Sequence, residues 1–172
     1  ILTNTFGGTR YRLGLHDAAH RVHELNVKAA RIATARVEAA SREIVVGGSM
    51  GPTGEILEPL GSLSIEAAAE AFAEQAAALK EGGVDVLWIE TMSSREEATA
   101  AVRGASHTGL PVVATFSVDT NGRTMMGLTP ADIVGLSMEL DNAPFAIGAN
   151  CGVGASDLVA AIVNMRTEIN QR

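Results

Sequence analysis

Short apolar runs alternate along the chain with longer stretches whose apolar residues recur at helical spacing. An uninterrupted apolar run between glycine-rich or polar breaks is typical of a strand that is buried on both faces, as in a parallel sheet. Such runs predict five strands, at residues 1–6, 44–48, 84–89, 111–116 and 144–150. A helical stretch separates each strand from the next and no hairpin signal occurs, so the pattern predicts consecutive parallel βα units.

The helical stretches have recognisable faces and beginnings. The first is predicted over residues 20–40, with Leu25, Ile32 and Val37 on its apolar face. Four later helices each follow a residue whose side chain can accept a hydrogen bond from the first helical turn, namely Ser64, Ser93 or Ser94, Thr129, and Ser156 or Asp157. These signals place the helix starts where the alternating pattern requires them.

Five βα units fit either an open doubly wound sheet or part of an eight-stranded barrel. No Gly-x-Gly-x-x-Gly opens the first helix and no Gly-Lys-Ser/Thr phosphate loop occurs, so the common nucleotide-binding signatures are absent from the sequence. Chemically useful residues instead follow most strands, namely Asn4, Ser49, Glu90, Ser117 and Cys151. This distribution favours an α/β barrel with a site ringed by its loops.

The composition of the chain limits the classes of partner that the protein is expected to bind. The formal net charge is -7 and no lysine or arginine cluster occurs, which argues against nucleic acid and anionic membranes as partners. The single cysteine excludes an intrachain disulfide, and no signal peptide or long apolar span is present. We therefore predict a soluble, cytoplasmic protein. Residues 1–172 are expected to form one domain that is truncated at both ends, because residues 1–6 already look like a core strand.

Cys151 is the residue on which the functional interpretation depends. A lone cysteine in an apolar strand is most often core filling, but this one follows a strand end, where a side chain faces the mouth of a barrel. As a thiolate it is suited to act as a nucleophile or as a metal ligand. None of the four histidines lies near a strand end to serve as its base, which favours a ligand to a soft metal, with zinc the usual ion. At least two further ligands must then come from elsewhere.

Glu90 follows an unbroken apolar strand and is interpreted as a fixed negative charge that anchors a substrate ammonium group through charge-assisted hydrogen bonds. The alternative is a structural role, in which Glu90 caps the next helix or pairs with Arg95. Asp119 and Arg123 flank an Asn-Gly turn, where a turn role is as well supported as a substrate contact.

Three histidines share one face if their segment is helical, but the charged residues around them favour a solvated surface over a metal site. They are His16, His20 and His23.

Several stretches of the chain, in this order, resemble the homocysteine S-methyltransferase family, most closely its bacterial betaine-type members. They are Leu-Thr-Asn-Thr-Phe-Gly at 2–7, Gly-Pro-Thr-Gly-Glu at 51–55, Glu-Thr-Met at 90–92, Asp-Thr-Asn-Gly-Arg-Thr at 119–124 and Gly-Ala-Asn-Cys at 148–151.

The resemblance implies a (β/α)8 TIM-type barrel in which three cysteines hold a zinc ion that takes up the thiol of homocysteine. Cys151 matches the first of these cysteines, and Glu90 matches the acid that holds the homocysteine amino group. Asn4 and Asn150 complete the predicted substrate-binding set. Nothing in the chain matches the family's Gly-Gly-Cys-Cys stretch or its amino-terminal Asp-Gly-x-x-Gly-Thr strand, so the segment is expected to supply about strands two to six.

The predicted activity is zinc-dependent transfer of a methyl group from an onium-type donor to homocysteine, which gives methionine. Gly7 stands where the animal betaine enzymes carry a tyrosine, so betaine, a sulfonium and a methyl-corrinoid all stay open as donors. Two alternatives are a metal-free barrel lyase or hydrolase that uses Glu90 and Asp119 as acid and base, and an inactive segment. We expect the isolated segment to be inactive, and its open sheet edges favour a homo-oligomer.

Overall fold

A computed structural model describes residues 1–171 of the chain. Its centre is a parallel sheet of four strands in the order β1 (Gly47–Met50), β2 (Val86–Met92), β3 (Val112–Phe116) and β4 (Ala146–Ala149). The helices are α1 (Arg10–Gly14), a 3₁₀ turn (Ala19–Arg21), α2 (Val22–Glu38), α3 (Ile65–Glu81), α4 (Arg95–Ser106), α5 (Pro130–Glu139) and α6 (Ala155–Gln171). The predicted alternation of parallel strands and helices is confirmed.

Each strand pairs with the strand that follows it in the sequence, through a connection that contains a helix. A doubly wound sheet reverses its strand order at a switch point, whereas a barrel adds its strands in sequence order. The order β1-β2-β3-β4 therefore favours the barrel alternative.

The first predicted strand, residues 1–6, is reduced to one parallel bridge between Leu2 and Gly47. Beyond that bridge, hydroxyl side chains make part of the pairing, together with a backbone hydrogen bond from the Gly51 amide to the Phe6 carbonyl oxygen at 3.0 Å. The Ser49 amide donates to Thr3 Oγ1 at 3.0 Å, and Thr5 Oγ1 donates to the Ser49 carbonyl oxygen at 2.6 Å. The segment thus lies beside β1 as predicted, but hydroxyl groups make part of its pairing, so it is not a regular strand.

The core lies between the sheet and the helices that cover it, and α3 and α4 approach each other closely. A Cβ atom added at Gly104 would lie 2.5 Å from the Ala69 carbonyl oxygen and 2.8 Å from the Ala73 nitrogen. Phe72 and Leu79 of α3 are fully buried beside them. The many alanines of these helices therefore let their backbones pack together, and the larger side chains fill the space against the sheet.

The predicted caps are confirmed for three helices and wrong for α6, which begins at Ala155, so that Ser156 and Asp157 lie inside its first turn. The side chains of Ser64, Ser94 and Thr129 accept hydrogen bonds from the first turns of α3, α4 and α5, as predicted.

The predicted apolar face of the first helix is wrong at Ile32, which is 67% exposed, whereas Val37 of that face packs against the core. Asn26 is buried although it is polar. Asn26 is buried because its amide donates to the carbonyl oxygens of residues 8 and 22, so a polar side chain occupies the inner face.

No helix within residues 1–171 is both long enough and apolar enough to cross a membrane. The cytoplasmic location stays a prediction.

Candidate functional site

The parallel strands bring their carboxyl ends to one edge of the sheet, as the sequence predicted. Side chains from all four strands or their ends take part in hydrogen bonds there, namely Ser49, Glu90, Thr91, Thr115 and Asn150. The carboxyl edge is where parallel α/β folds carry their chemistry. We therefore take this edge as the candidate active site.

Glu90 is half-buried, and its Oε1 accepts a hydrogen bond from the Ser49 hydroxyl. Neither structural alternative for Glu90 holds. Ser94 caps α4, and Arg95 pairs with Glu139 at 3.3 Å. No cationic side chain within residues 1–171 forms an ion pair with Glu90. The site thus contains a positioned carboxylate without a cationic partner in the described part of the chain.

The end of β2 is irregular at this carboxylate. Pairing with β3 moves from Ile89 opposite Ala114 to Met92 opposite Phe116, so β2 uses one residue more than its neighbour over this interval. This is a β-bulge, a distortion that is common next to active sites because it changes the direction of a side chain. Thr91, inside the bulge, has a positive φ of 67°.

Asn150 joins the ends of three strands. Its Oδ1 accepts hydrogen bonds from the Thr91 amide at 3.0 Å and from the Thr115 hydroxyl at 2.6 Å. Its Nδ2 donates to Thr91 Oγ1 at 2.8 Å. Because an amide oxygen has two lone pairs and an amide nitrogen two hydrogens, one N–H is left for a ligand. The predicted substrate contact of Asn150 stays a prediction.

Cys151 follows the last strand and is exposed, so the core-filling interpretation is wrong. Its φ is +60°, and that of Gly152 is +82°. Two successive residues in the left-handed region make a sharp turn directly after β4. A side chain on Gly152 would clash with the Val118 carbonyl oxygen, so this turn needs glycine.

Within residues 1–171 no group of three His, Cys, Asp or Glu side chains is placed to hold a metal ion. Cys151 therefore offers one ligand atom. The three histidines do not add to it, and they agree with the surface interpretation, since His23 is exposed and binds Glu81 at 2.8 Å.

Asn4 is exposed on a bend between the buried Thr3 and Thr5, and its predicted role in substrate binding stays a prediction. Asp119 has the turn role. Its Oδ1 accepts from the amides of Asn121 at 2.8 Å and Arg123 at 3.0 Å. These bonds, that of Arg123 first, lower the pKa of Asp119. A carboxylate held in this way is poorly suited to serve as a general acid or base.

Sequence reasoning missed a cleft of about 570 Å³ beside the strand ends. The segment 52–60 forms one wall, and Thr91, Ser117, Met125 and Met126 contribute to the rest. Its lining is mostly apolar. Nothing in the local pattern pointed to it, because the wall belongs to an irregular loop far along the chain from the other lining residues.

The missed residue in this cleft is Glu97, which is 5% exposed. Thr53 donates to its Oε1 twice, from the amide at 2.8 Å and from the hydroxyl at 2.6 Å. Burial raises the pKa of Glu97 despite these bonds. The sequence Ser-Arg-Glu-Glu at 94–97 has the form of a capping box, which indicates a surface carboxylate. The carboxylate instead holds the Gly-Pro-Thr-Gly loop.

Comparison with known proteins gives the site a context. The profile of the homocysteine S-methyltransferase family matches residues 1–171. The methionine synthase of Mycobacterium tuberculosis is 31% identical over 173 residues, which cover 92% of this chain and 14% of that protein. The methionine synthase of Mycobacterium leprae is 29% identical, with the same coverage. The chain thus spans about one seventh of the length of these relatives.

Among solved structures, the metallated form of the homocysteine methyltransferase MmuM from Escherichia coli aligns with a TM-score of 0.78 and 21% identity. The alignment covers 93% of this chain and 60% of that one. The oxidized form gives 0.77 and 22%. The fold is accordingly a partial TIM barrel, as the sequence predicted. On the match of its whole described length, the chain belongs to the homocysteine S-methyltransferase family.

Proposed function

We propose that the protein transfers a methyl group to the thiol of homocysteine, which gives methionine. The observation that carries this proposal is Glu90, a half-buried carboxylate with a hydroxyl partner and no cationic one in the described chain, at the sheet edge that also bears the exposed Cys151. Membership of the homocysteine S-methyltransferase family supports the choice of acceptor.

Glu90 is assigned to the amino group of homocysteine. A carboxylate that accepts from an ammonium group forms a short, charge-assisted hydrogen bond, roughly twice as strong as a neutral one. Ser49 holds one oxygen of Glu90, so the carboxylate loses little freedom when the substrate binds. We propose that Glu90 holds the amino group of homocysteine in this way while the thiol extends toward the proposed zinc site at Cys151.

Cys151 is assigned as one zinc ligand, and the other two are proposed to be cysteines outside this chain. The fit is partial: Cys151 has the right chemistry and exposure, but residues 1–171 alone supply no complete site. A bound zinc ion would make the homocysteine thiol a thiolate near neutral pH. The arrangement is therefore proposed as part of a site that further chain completes.

The reaction needs a donor whose methyl carbon carries a good leaving group. A new bond forms between the homocysteine sulfur and the methyl carbon, the bond from that carbon to an ammonium or sulfonium centre breaks, and the thiol proton is released. The leaving group is then a neutral amine or sulfide. With a methyl-corrinoid donor, the bond from the methyl carbon to cobalt breaks instead, and its electron pair stays on the cobalt. The mostly apolar cleft lined by Thr91 and Ser117 suits a methyl-bearing group of this kind, and holding it in line with the sulfur lowers the barrier by orientation.

We also propose that residues 1–172 form one unit of a longer barrel. Several apolar side chains on the β4 side of the molecule are exposed, including Phe145 at 83% and Val159 at 61%. Such side chains are usually covered in a finished domain. The metal-free lyase or hydrolase gains no support, because Asp119 is engaged in its turn.

The proposal is tested by methyl transfer and zinc content in the full-length protein. The purified protein is offered homocysteine with betaine, a methylsulfonium or a methyl-corrinoid, and methionine is measured. Cys151→Ala is expected to lower zinc below about a tenth of the wild-type amount and to lower methyl transfer by at least about a hundredfold. Loss of a direct metal ligand weakens metal binding more than loss of a residue that only hydrogen-bonds to a ligand. The control His23→Ala changes an exposed histidine and should keep both.

Stoichiometric zinc in Cys151→Ala would contradict the metal assignment. Absence of methionine with every donor, in a folded and zinc-loaded protein, would contradict the proposed activity itself.

A further inference from the structure

We infer that Asn150 is a positioning residue, which holds the bulge at Glu90 and Thr91 so that the Glu90 carboxylate points to the substrate ammonium group. This inference rests on the proposed function, because it assigns Asn150 a task in homocysteine recognition. It differs from the sequence prediction, in which Asn150 itself contacts the substrate.

The bulge needs a partner to hold it. Pairing between β2 and β3 is regular as far as Ile89 and resumes at Met92, so Glu90 and Thr91 lie outside the ladder. Thr91 has a φ of 67°, a region that β-branched residues rarely adopt. A residue in such a sparsely populated backbone conformation keeps it only where neighbouring groups hold the backbone in place.

Asn150 provides the hydrogen bonds that hold Thr91 in this conformation. It accepts from the Thr91 amide, which the bulge leaves without a ladder partner, and it donates to the Thr91 hydroxyl. The Thr115 hydroxyl, from β3, fixes the orientation of the Asn150 oxygen at 2.6 Å. Two hydrogen bonds therefore join Thr91, the residue after Glu90, to Asn150 at the end of β4, and a third joins Asn150 to Thr115 of β3.

Glu90 is held from the other side as well. The Ser49 hydroxyl binds its carboxylate directly, and Ser49 is in turn held by Thr3 and Thr5 through its backbone. Ser49 therefore fixes the carboxylate, whereas Asn150 acts through the backbone of the next residue. If Asn150 is replaced by a side chain without polar atoms, the bulge can relax and Glu90 loses its direction.

The experiment measures the dissociation constants of homocysteine and of 4-mercaptobutyrate, the same thiol acid without the amino group, in the full-length protein. Asn150→Leu keeps the size of the side chain and removes all three hydrogen bonds. It should weaken homocysteine binding about tenfold and leave 4-mercaptobutyrate binding nearly unchanged, since one charge-assisted hydrogen bond is lost. Asn150→Asp keeps the acceptor oxygen and should stay within about threefold of the wild type.

Two further variants make the result decisive. Asn142→Leu, in an exposed turn, is the matched control and should change neither constant. Glu90→Gln should reproduce the selective loss of homocysteine binding. If Glu90→Gln has no effect, the assignment of Glu90 fails and the proposed function with it. If Glu90→Gln is selective but Asn150→Leu weakens neither thiol, or both equally, the positioning role alone is overturned.

Thermal unfolding accompanies each measurement. Should Asn150→Leu not fold, Thr115→Val removes only the hydroxyl that orients Asn150. It should show the same selectivity with a smaller loss, and equal affinity to the wild type for both thiols would overturn the inference.

Discussion

The two chemically distinctive residues of the sheet edge, Glu90 and Cys151, stand in opposite surroundings. Glu90 lies near the end of the central strand β2, is half-buried, and is fixed by Ser49 in the described chain. Cys151 follows the edge strand β4, whose residues are all only partly buried, and is exposed. The substrate-anchoring half of the proposed site is thus preorganised within this chain, whereas its proposed metal half consists of one ligand.

The difference follows from position in the sheet. A central strand has neighbours on both sides, and side chains can hold its end from both. Glu90 is held by Ser49 of β1, and Thr91 is held by Asn150, which follows β4 and is oriented by Thr115 of β3. An edge strand has a neighbour on one side only. The side chain on the central strand, Glu90, is therefore held more firmly than Cys151, which follows the edge strand.

The largest effect that would test this comparison is expected for Glu90→Gln. The substitution keeps one acceptor oxygen for Ser49 and removes the charge, so it should lower kcat/KM for homocysteine by about a hundredfold, mostly through KM, while zinc content stays at the wild-type level. Steady-state kinetics and metal analysis measure the two quantities separately. The matched control Glu38→Gln, at an exposed position, should change neither. A parallel loss of zinc would show that the two halves are not independent.

A smaller effect, on stability alone, is expected for Gly104→Ala. The added Cβ would lie 2.5 Å from the Ala69 carbonyl oxygen, so α3 and α4 must move apart. We expect the free energy of unfolding to fall by about 2 kcal/mol, with little change in homocysteine affinity, because the contact is on the helical side of the sheet. Urea unfolding measures the loss. Gly14→Ala is the control, since its Cβ would meet only Ala19 at 4.0 Å, and it should be close to neutral. Equal losses for both variants would refute the close-packing argument.

The smallest effect is a pH dependence from Glu97. Burial raises the pKa of this carboxyl in the folded state, so the folded protein binds more protons than the unfolded chain above the ordinary pKa of 4.5. Its contribution to stability therefore falls as the pH rises from that value through the raised pKa. Glu97→Gln keeps an acceptor for Thr53 and removes the titration, so its stability relative to the wild type should increase from pH 5 to pH 8.

Urea unfolding at several pH values tests this, and the change should be smaller than that for Gly104→Ala. A stability difference between Glu97→Gln and the wild type that does not depend on pH would contradict the burial argument.

The placement of Glu90 and Cys151 at one edge of the sheet was predictable because parallel strands all end there, and the roles of both residues stay predictions. Glu90 and Cys151 were found from a local feature, a reactive side chain directly after an apolar run. Glu97 was missed because its sequence context is that of a helix cap, and its burial depends on Thr53, 44 residues away. The cleft was missed for the same reason.

The sequence by itself determined the alternation of strands and helices, the helix caps and the position of reactive residues at strand ends, because these depend on neighbours along the chain. Only the tertiary structure decided that Asn150 binds Thr91, 59 residues away, that residues 1–6 pair partly through hydroxyls, and that Glu97 is buried. Hydrogen bonds between distant segments depend on how the elements pack, and no periodicity along the chain records that.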